Sequence, residues 1–232
     1  MLAGPSGRMI YGDGRRGRPM DGRRRGLAPN GGAGFGSDMR ITGGNARGIP
    51  LRVPRGDATR PAMDRLRQSI FSSLGALVVE TRFVDLFAGS GSYGLEAWSR
   101  GATGGAFVEQ GREALECLRT NLAAVAKSLQ ADARACTVSK ADALTWTPLD
   151  GARVGLVFCD PPYSMIAEQP ERFFAQFDRL LVPGREGLVV FEMPGELQPA
   201  TPGWECVKRL GGGPREASAC FYRRVTVAGV NP

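Results

Sequence analysis

Between residues 82 and 192 the apolar residues change period several times, from the close-set runs of strands to the three-to-four spacing of amphipathic helices and back. The pattern predicts strands at about 82–87, 105–109, 134–139, 154–159 and 187–192, with helices at about 92–100, 111–126 and 168–181 between them. Leu115, Leu118, Leu122 and Val125 share one face of the second helix, and Phe173, Phe177 and Leu180 one face of the third. Val154 to Cys159 is an apolar run, which suits a central parallel strand covered on both faces. Strands and helices in alternation build an α/β fold with a mostly parallel, doubly wound sheet. Two further strands, 204–210 and 218–227, joined through Gly211-Gly212-Gly213-Pro214, predict a C-terminal antiparallel hairpin.

The start of the chain differs in kind. Met1 to Asp38 holds eleven glycines, clusters such as Arg23-Arg24-Arg25 and almost no periodic apolar pattern, so burial cannot offset its ordering entropy. The expected organisation is a disordered Gly/Arg-rich tail over 1–39 and one domain over 40–232, in which 40–75 forms a hairpin and a helix and 82–232 the catalytic core. The helix is predicted from Pro61 to about Leu74, with Met63, Leu66, Ile70 and Leu74 on one face and Gly75 as its stop. Net charge is +7, and residues 1–39 carry seven Arg against three Asp, so much of the excess sits on the tail. Such a segment can act as an arm that attracts RNA. It can equally be an over-extended reading frame, because Met39 stands immediately before the first structured residue.

Several classes of chemistry are excluded or disfavoured. The chain has no histidine, which removes the commonest general base and the commonest metal ligand together. Cys117, Cys136, Cys159, Cys206 and Cys220 are scattered without a CxxC pair, which argues against a disulfide framework and a zinc site, so no metal is expected. No apolar run approaches the roughly 20 residues of a membrane helix, and a cytoplasmic protein is expected. Nothing demands an oligomer, and a monomer is expected.

Two motifs at strand ends carry the chemistry. The first runs from Val84 through Asp85-Leu86-Phe87-Ala88-Gly89-Ser90-Gly91 to Gly94, a strand entering a Gly-rich turn that opens a helix. In an open α/β sheet that turn lies where ligands bind. Glycines admit a ligand to the backbone, and an acid about 20 residues on holds ribose hydroxyls; Glu109, ending the next strand, fills that place. The spacing of Gly89, Gly91 and Gly94 also fits a dinucleotide site. Asp85, two residues before Phe87, favours a nucleoside with positive charge and no phosphate, which describes S-adenosylmethionine. Asp142 is a further candidate for the adenine, or an ordinary helix cap.

The second motif is Asp160-Pro161-Pro162-Tyr163, directly after the apolar fourth strand. Two prolines stiffen the backbone and leave carbonyls free. An exocyclic base amine is a poor nucleophile, because its lone pair is delocalised into the ring. A carboxylate and a fixed carbonyl that accept its two N–H bonds stabilise charge developing on nitrogen, and Tyr163 can stack on a base turned out of its own stack.

With these segments in order, the chain from Arg40 onward resembles the bacterial guanine-N2 methyltransferases of small-subunit (16S) ribosomal RNA, a Rossmann-like S-adenosylmethionine-dependent family. The resemblance rests on Arg40-Ile41-Thr42-Gly43-Gly44 with Arg47-Gly48, on Arg60-Pro61 with Asp64-Arg65-Leu66-Arg67, on Asp85 through Gly94 with Ser99-Arg100-Gly101-Ala102, and on Asp160 through Tyr163. Ala62-Met63 and Gln68 depart from the family pattern of Thr-Thr and Glu. The resemblance implies a guanine amine held by Asp160, Pro161, Pro162 and Tyr163, and a cofactor site of Asp85, Phe87, Ala88, Gly89, Ser90, Gly91, Glu109 and Asp142. It implies that Arg40, Arg47, Arg60, Arg65 and Arg67 face RNA phosphates, where Arg is the better suited cation. The expected partner is 16S ribosomal RNA or a partly assembled small subunit. Three other readings stand beside it: an N6-adenine methyltransferase acting on DNA or RNA, an NAD-linked oxidoreductase on the same sheet, and a non-catalytic RNA-binding assembly factor.

Overall fold

The computed structural model describes residues 36–54, 61–183, 186–213 and 216–225; the predicted tail up to residue 35, and Arg60, lie outside the described residues. In chain order the elements are β1 (Gly36–Arg40), β2 (Pro50–Val53), α1 (Pro61–Leu74), β3 (Arg82–Leu86), α2 (Ser92–Ser99), β4 (Gly104–Glu109), α3 (Arg112–Leu129), β5 (Cys136–Lys140), β6 (Leu156–Cys159), α4 (Tyr163–Glu168), α5 (Pro170–Leu180), β7 (Leu188–Pro194), β8 (Trp204–Gly211) and β9 (Ala217–Arg224). The first strand begins at Gly36, inside the segment predicted as tail, and pairs antiparallel with β2. The helix predicted over 168–181 is α5, which Pro170 opens, and α4 is a further short helix directly before it that the apolar period did not predict.

The main sheet has the order β5-β4-β3-β6-β7-β9-β8, parallel from β5 to β7 and antiparallel at β9 and β8, as the sequence predicts. The chain winds from β3 outward to β5, returns to lay β6 on the other side of β3, and winds outward again. The crevice between the carboxyl ends of β3 and β6 is therefore the point at which strand order reverses.

Side chains alternate across the sheet and divide the core in two. Phe83, Phe107, Leu156, Phe158, Leu188, Val190 and Phe221 pack under α1, α2 and α3, whereas Val84, Leu86, Val108, Val157, Cys159, Val189, Phe191 and Tyr222 pack under α4 and α5. This parity decides the chemistry: Asp85, Asp160 and Glu192 continue the series of Phe83, Phe158 and Val190, so all three fall on the α1–α2 side.

The N-terminal hairpin is anchored to that side. Met39, Ile41, Leu51 and Val53 join the core under α2 and α3. Buried Glu96 accepts from the Thr42 N–H at 2.7 Å, the Thr42 hydroxyl at 2.8 Å and Arg100 Nε at 2.7 Å. Asn121 of α3 clamps Arg52 of β2 through both backbone groups and donates as well to the Ser90 carbonyl. Among the described residues no helix is long and apolar enough to cross a membrane.

Candidate active site

The turn after β3 is shaped by what it leaves out. Phe87 takes φ 56° and Gly89 φ 54°, and no atom lies within 4 Å of where a Gly89 side chain would begin. Gly94 meets the opposite condition, since a Cβ there would come within 2.4 Å of the Phe107 ring and 2.5 Å of the Phe83 ring. Helix α2 thus rests directly on the aromatic floor while the turn before it stays open.

Each carboxylate around this turn is occupied by backbone N–H groups. Glu109 Oε2 accepts from Gly89 at 2.8 Å, and Oε1 accepts from Gln110 at 2.8 Å and Gly111 at 2.7 Å. Asp142 accepts from the Leu144 N–H at 3.0 Å within a turn, and no helix follows it for a cap to serve. Asp85 corrects the expectation that it faces the positive groups of a ligand. It is 1% exposed, and its Oδ2 accepts from Gly94 N–H at 2.8 Å, tying the start of α2 to β3. Burial pushes its pKa up to about 8, opposed by the Gly94 bond and assisted by the charge of Glu109.

Phe87, Val108, Glu109, Gln110, Ala141, Ala143, Pro162 and Met165 enclose a cavity of about 250 Å³ beside the turn. Ala88 is buried with its N–H bonded to Val108, and Gly91 donates to Ala88, so the turn is held to β4 by its own backbone.

Asp160 to Tyr163 leave β6 on the other side of the crevice. Cys159 is in register with Leu86, and the Asp160 N–H points to the Leu86 carbonyl at 3.5 Å, so the motif begins beside the end of β3. Pro162 precedes α4, and Tyr163 opens it 40% exposed. Burial first, then Glu192 and Asp85, hold the Asp160 carboxyl well above the usual range. Burial also pushes the Tyr163 phenol up to about 12, helped by the negative charges of Glu192, Asp160 and Glu196.

Glu192 was not among the expected site residues. It follows Phe191, the register partner of Cys159, which sets it across from Asp160 on the adjacent strand. It is 4% exposed and accepts through Oε2 from the hydroxyl of Tyr93, whose ring stacks on Phe158 at 5.5 Å. Burial raises its pKa, opposed by the Tyr93 bond and by the nearby Arg67 guanidinium. A signal existed: Glu192 is a lone acid within Leu188–Pro194, a strand buried at every position. Nothing comparable marked Tyr93.

Met63, Arg65, Leu66, Ser69, Tyr163, Glu192, Leu210, Gly211, Glu216 and Ala217 line a second, larger cavity of about 540 Å³. The arginines separate. Arg65 is exposed on its rim, and Arg40 and Arg47 are exposed on a third cavity of about 320 Å³ with Asp64 and Gln68. Arg67 is the correction, because it is 3% exposed and donates to the Arg40 carbonyl and to Asp64 Oδ1, both at 2.9 Å. It is thus unavailable to phosphates and acts as the counter-charge of the acidic crevice. No group of three or more His, Cys, Asp or Glu among the described residues is disposed to hold a metal.

Comparison with known proteins follows the same lines. "Ribosomal RNA small subunit methyltransferase D" of Escherichia coli is 37% identical over 125 residues, 54% of this chain and 60% of that protein, so the match spans less than two thirds of the relative. The Bacillus subtilis protein "Putative rRNA methyltransferase YlbH" is 30% identical over 69% of this chain and 85% of its own length. The solved structure "Putative methyltransferase yhhF from Escherichia coli" superposes with a TM-score of 0.67 at 30% identity, covering 82% of this chain and 98% of that one. The family described as conserved hypothetical protein 95 matches residues 39–217, from β1 to the start of β9 and across the whole crevice, and the chain belongs to that family.

Proposed function

We propose that the chain transfers a methyl group from S-adenosylmethionine to the exocyclic N2 amine of a guanine in small-subunit ribosomal RNA, free or in a partly assembled particle. One observation carries this reading: the Asp160–Tyr163 motif separates two cavities, with Pro162 lining the one that contains Glu109 and Tyr163 the one that contains Arg65 and Glu192. Group transfer needs such an arrangement, since donor and acceptor must meet at the group that orients them. The names of the Escherichia coli and Bacillus subtilis relatives supply the methyl transfer and the ribosomal RNA.

The smaller cavity suits the cofactor nucleoside. Phe87, Val108, Ala141, Ala143 and Met165 give apolar walls for an adenine, Glu109 lies at its rim for ribose hydroxyls, and the open space at Gly89 admits a ligand to the turn formed by Ala88, Ser90 and Gly91. Asp142 borders the same end of the sheet, and Asp85 holds the turn from beneath. When bound, S-adenosylmethionine supplies a methyl group on a sulfonium and leaves as S-adenosylhomocysteine.

On the acceptor side, Asp160 and the Pro161 carbonyl take the two N–H bonds of the amine, which aims the nitrogen lone pair and stabilises the charge formed as the N–C bond is made. Asp160 then accepts the surplus proton, a task suited to a carboxylate whose pKa is raised by burial and by acidic neighbours. Tyr163 stacks on the base. Arg40, Arg47, Arg60 and Arg65 contact phosphates. An NAD-linked reading leaves the Asp160–Tyr163 motif and the larger cavity without a task.

The test is mass spectrometry of nucleosides from small-subunit RNA and particles incubated with the protein and S-adenosylmethionine. N2-methylguanosine is the expected product. N6-methyladenosine would change the acceptor, and an absence of any methylated nucleoside would remove the enzyme.

A further inference from the structure

Glu192 lines the larger cavity beside Tyr163, stands across from Asp160 and, among the described residues, accepts a hydrogen bond only through Oε2, from the Tyr93 hydroxyl. Tyr93 is itself fixed, 8% exposed and held in a cluster of three mutually contacting rings with Phe158 and Phe71. The Arg67 guanidinium is close enough to favour the charged form of Glu192, and Arg67 is pinned by Asp64 and the Arg40 carbonyl. A carboxylate in this setting is an acceptor held in one orientation, with Oε1 left for a ligand.

Two parallel acceptors, Asp160 and Glu192, then lie side by side, one inter-strand spacing of ~4.8 Å apart at the backbone, with Glu192 on the cavity wall and Asp160 next to it across the strand pair. The edge of guanine that carries the N2 amine presents two adjacent donors, N2–H and N1–H. The corresponding edge of adenine presents one donor, N6–H, beside the N1 lone pair, which a carboxylate repels. We propose, on the footing of the guanine-N2 reading above, that Glu192 is the residue that selects guanine, by accepting its N1–H while Asp160 accepts N2–H. Glu192 is a specificity residue in this scheme, and the methyl transfer itself stays with Asp160 and the Pro161 carbonyl. A site built to accept a hydrogen bond rejects an analogue that lacks the donor, because the buried acceptor is left unpaired.

The discriminating substrate is 2-aminopurine, which keeps the N2 amine and replaces N1–H with a lone pair. Small-subunit particles would carry either guanine or 2-aminopurine at the nucleotide mapped by the preceding experiment, and kcat/KM would be measured on both with the full chain. The wild-type protein should prefer guanine by on the order of 10²-fold or more. Glu192→Gln keeps an oxygen for the Tyr93 hydroxyl and adds an N–H that can donate to a bare N1, so that preference should shrink at least tenfold. Glu192→Asp should lose rate on guanine yet retain the preference. Thermal melting and S-adenosylmethionine binding near wild type would show that both variants are folded. A residue that merely supports the strand would lower both rates together, so an unchanged ratio in Glu192→Gln, with N2-methylguanosine still formed, overturns the assignment and leaves the guanine reading intact. Formation of N6-methyladenosine by the wild-type protein overturns both.

Discussion

The two halves of the parallel sheet end in carboxylates, and the two sets are treated in opposite ways. Beside the glycine turn, Glu109, Asp142 and Asp85 each accept backbone N–H bonds, three of them for Glu109 alone. Beside the Asp160–Tyr163 motif, Asp160 and Glu192 face each other across one strand spacing with a tyrosine hydroxyl and a buried arginine for company. The first set is spent on holding a loop in shape. Among the described residues the second set accepts one side-chain hydrogen bond, from the Tyr93 hydroxyl, which leaves acceptor capacity for a donor-rich ligand. On the proposed function, a preorganised binding edge and an acidic reaction edge share one sheet, divided at the strand-order reversal.

The largest expected effect comes from removing the reaction edge. Asp160→Ala should lower single-turnover methyl transfer by about 10²- to 10³-fold, with cofactor affinity by titration calorimetry near wild type. Equal losses in both measurements would erase the distinction between the two halves. Glu109→Ala is its mirror: three N–H groups lose an acceptor, and cofactor affinity should fall by about 10- to 100-fold while the rate at saturation is largely kept.

A pH profile sharpens the contrast further. Because the Asp160 pKa is raised, the carboxylate protonates above the ordinary range, and the single-turnover rate should drop about tenfold per pH unit on the acid side of that raised value. A rate that stays flat down to pH 4 would contradict a carboxylate in this setting acting as proton acceptor.

The last effect concerns stability. Asp85 titrates near 8 in the folded protein against 3.8 ordinarily, so the folded form retains a proton that the unfolded chain releases. Its contribution to stability is full below the unfolded value and declines as pH rises toward 8. Asp85→Asn should therefore flatten the dependence of melting temperature on pH between 5 and 8, by on the order of ten degrees across that window. An unaltered slope would mean that Asp85 is ionised in the fold.

Much of this was legible in the residues. Pro61 and Gly75 gave α1 its limits around an apolar face of helical period, and period placed β3, β4, β6 and β7 within two residues of where they lie. The two motifs were legible because glycines and prolines act on their own backbone, whatever surrounds them. Less local features were not. The six-residue α4, too short to show a helical period, was not predicted, and Arg67 was grouped with exposed arginines that share its composition but not its place.

The sequence by itself determined which residues form strands, which form turns, and which strand ends carry a carboxylate, since each of those depends on neighbours in the chain. Only the tertiary structure decided which strands lie side by side. That order set Glu192 against Asp160, turned Tyr93 and Arg67 toward the pair, and gave Asp85 to the start of α2. Side-chain parity assigns a face, but a charge acquires its partners from strands and helices far away in sequence, and their order is settled by how the whole core packs.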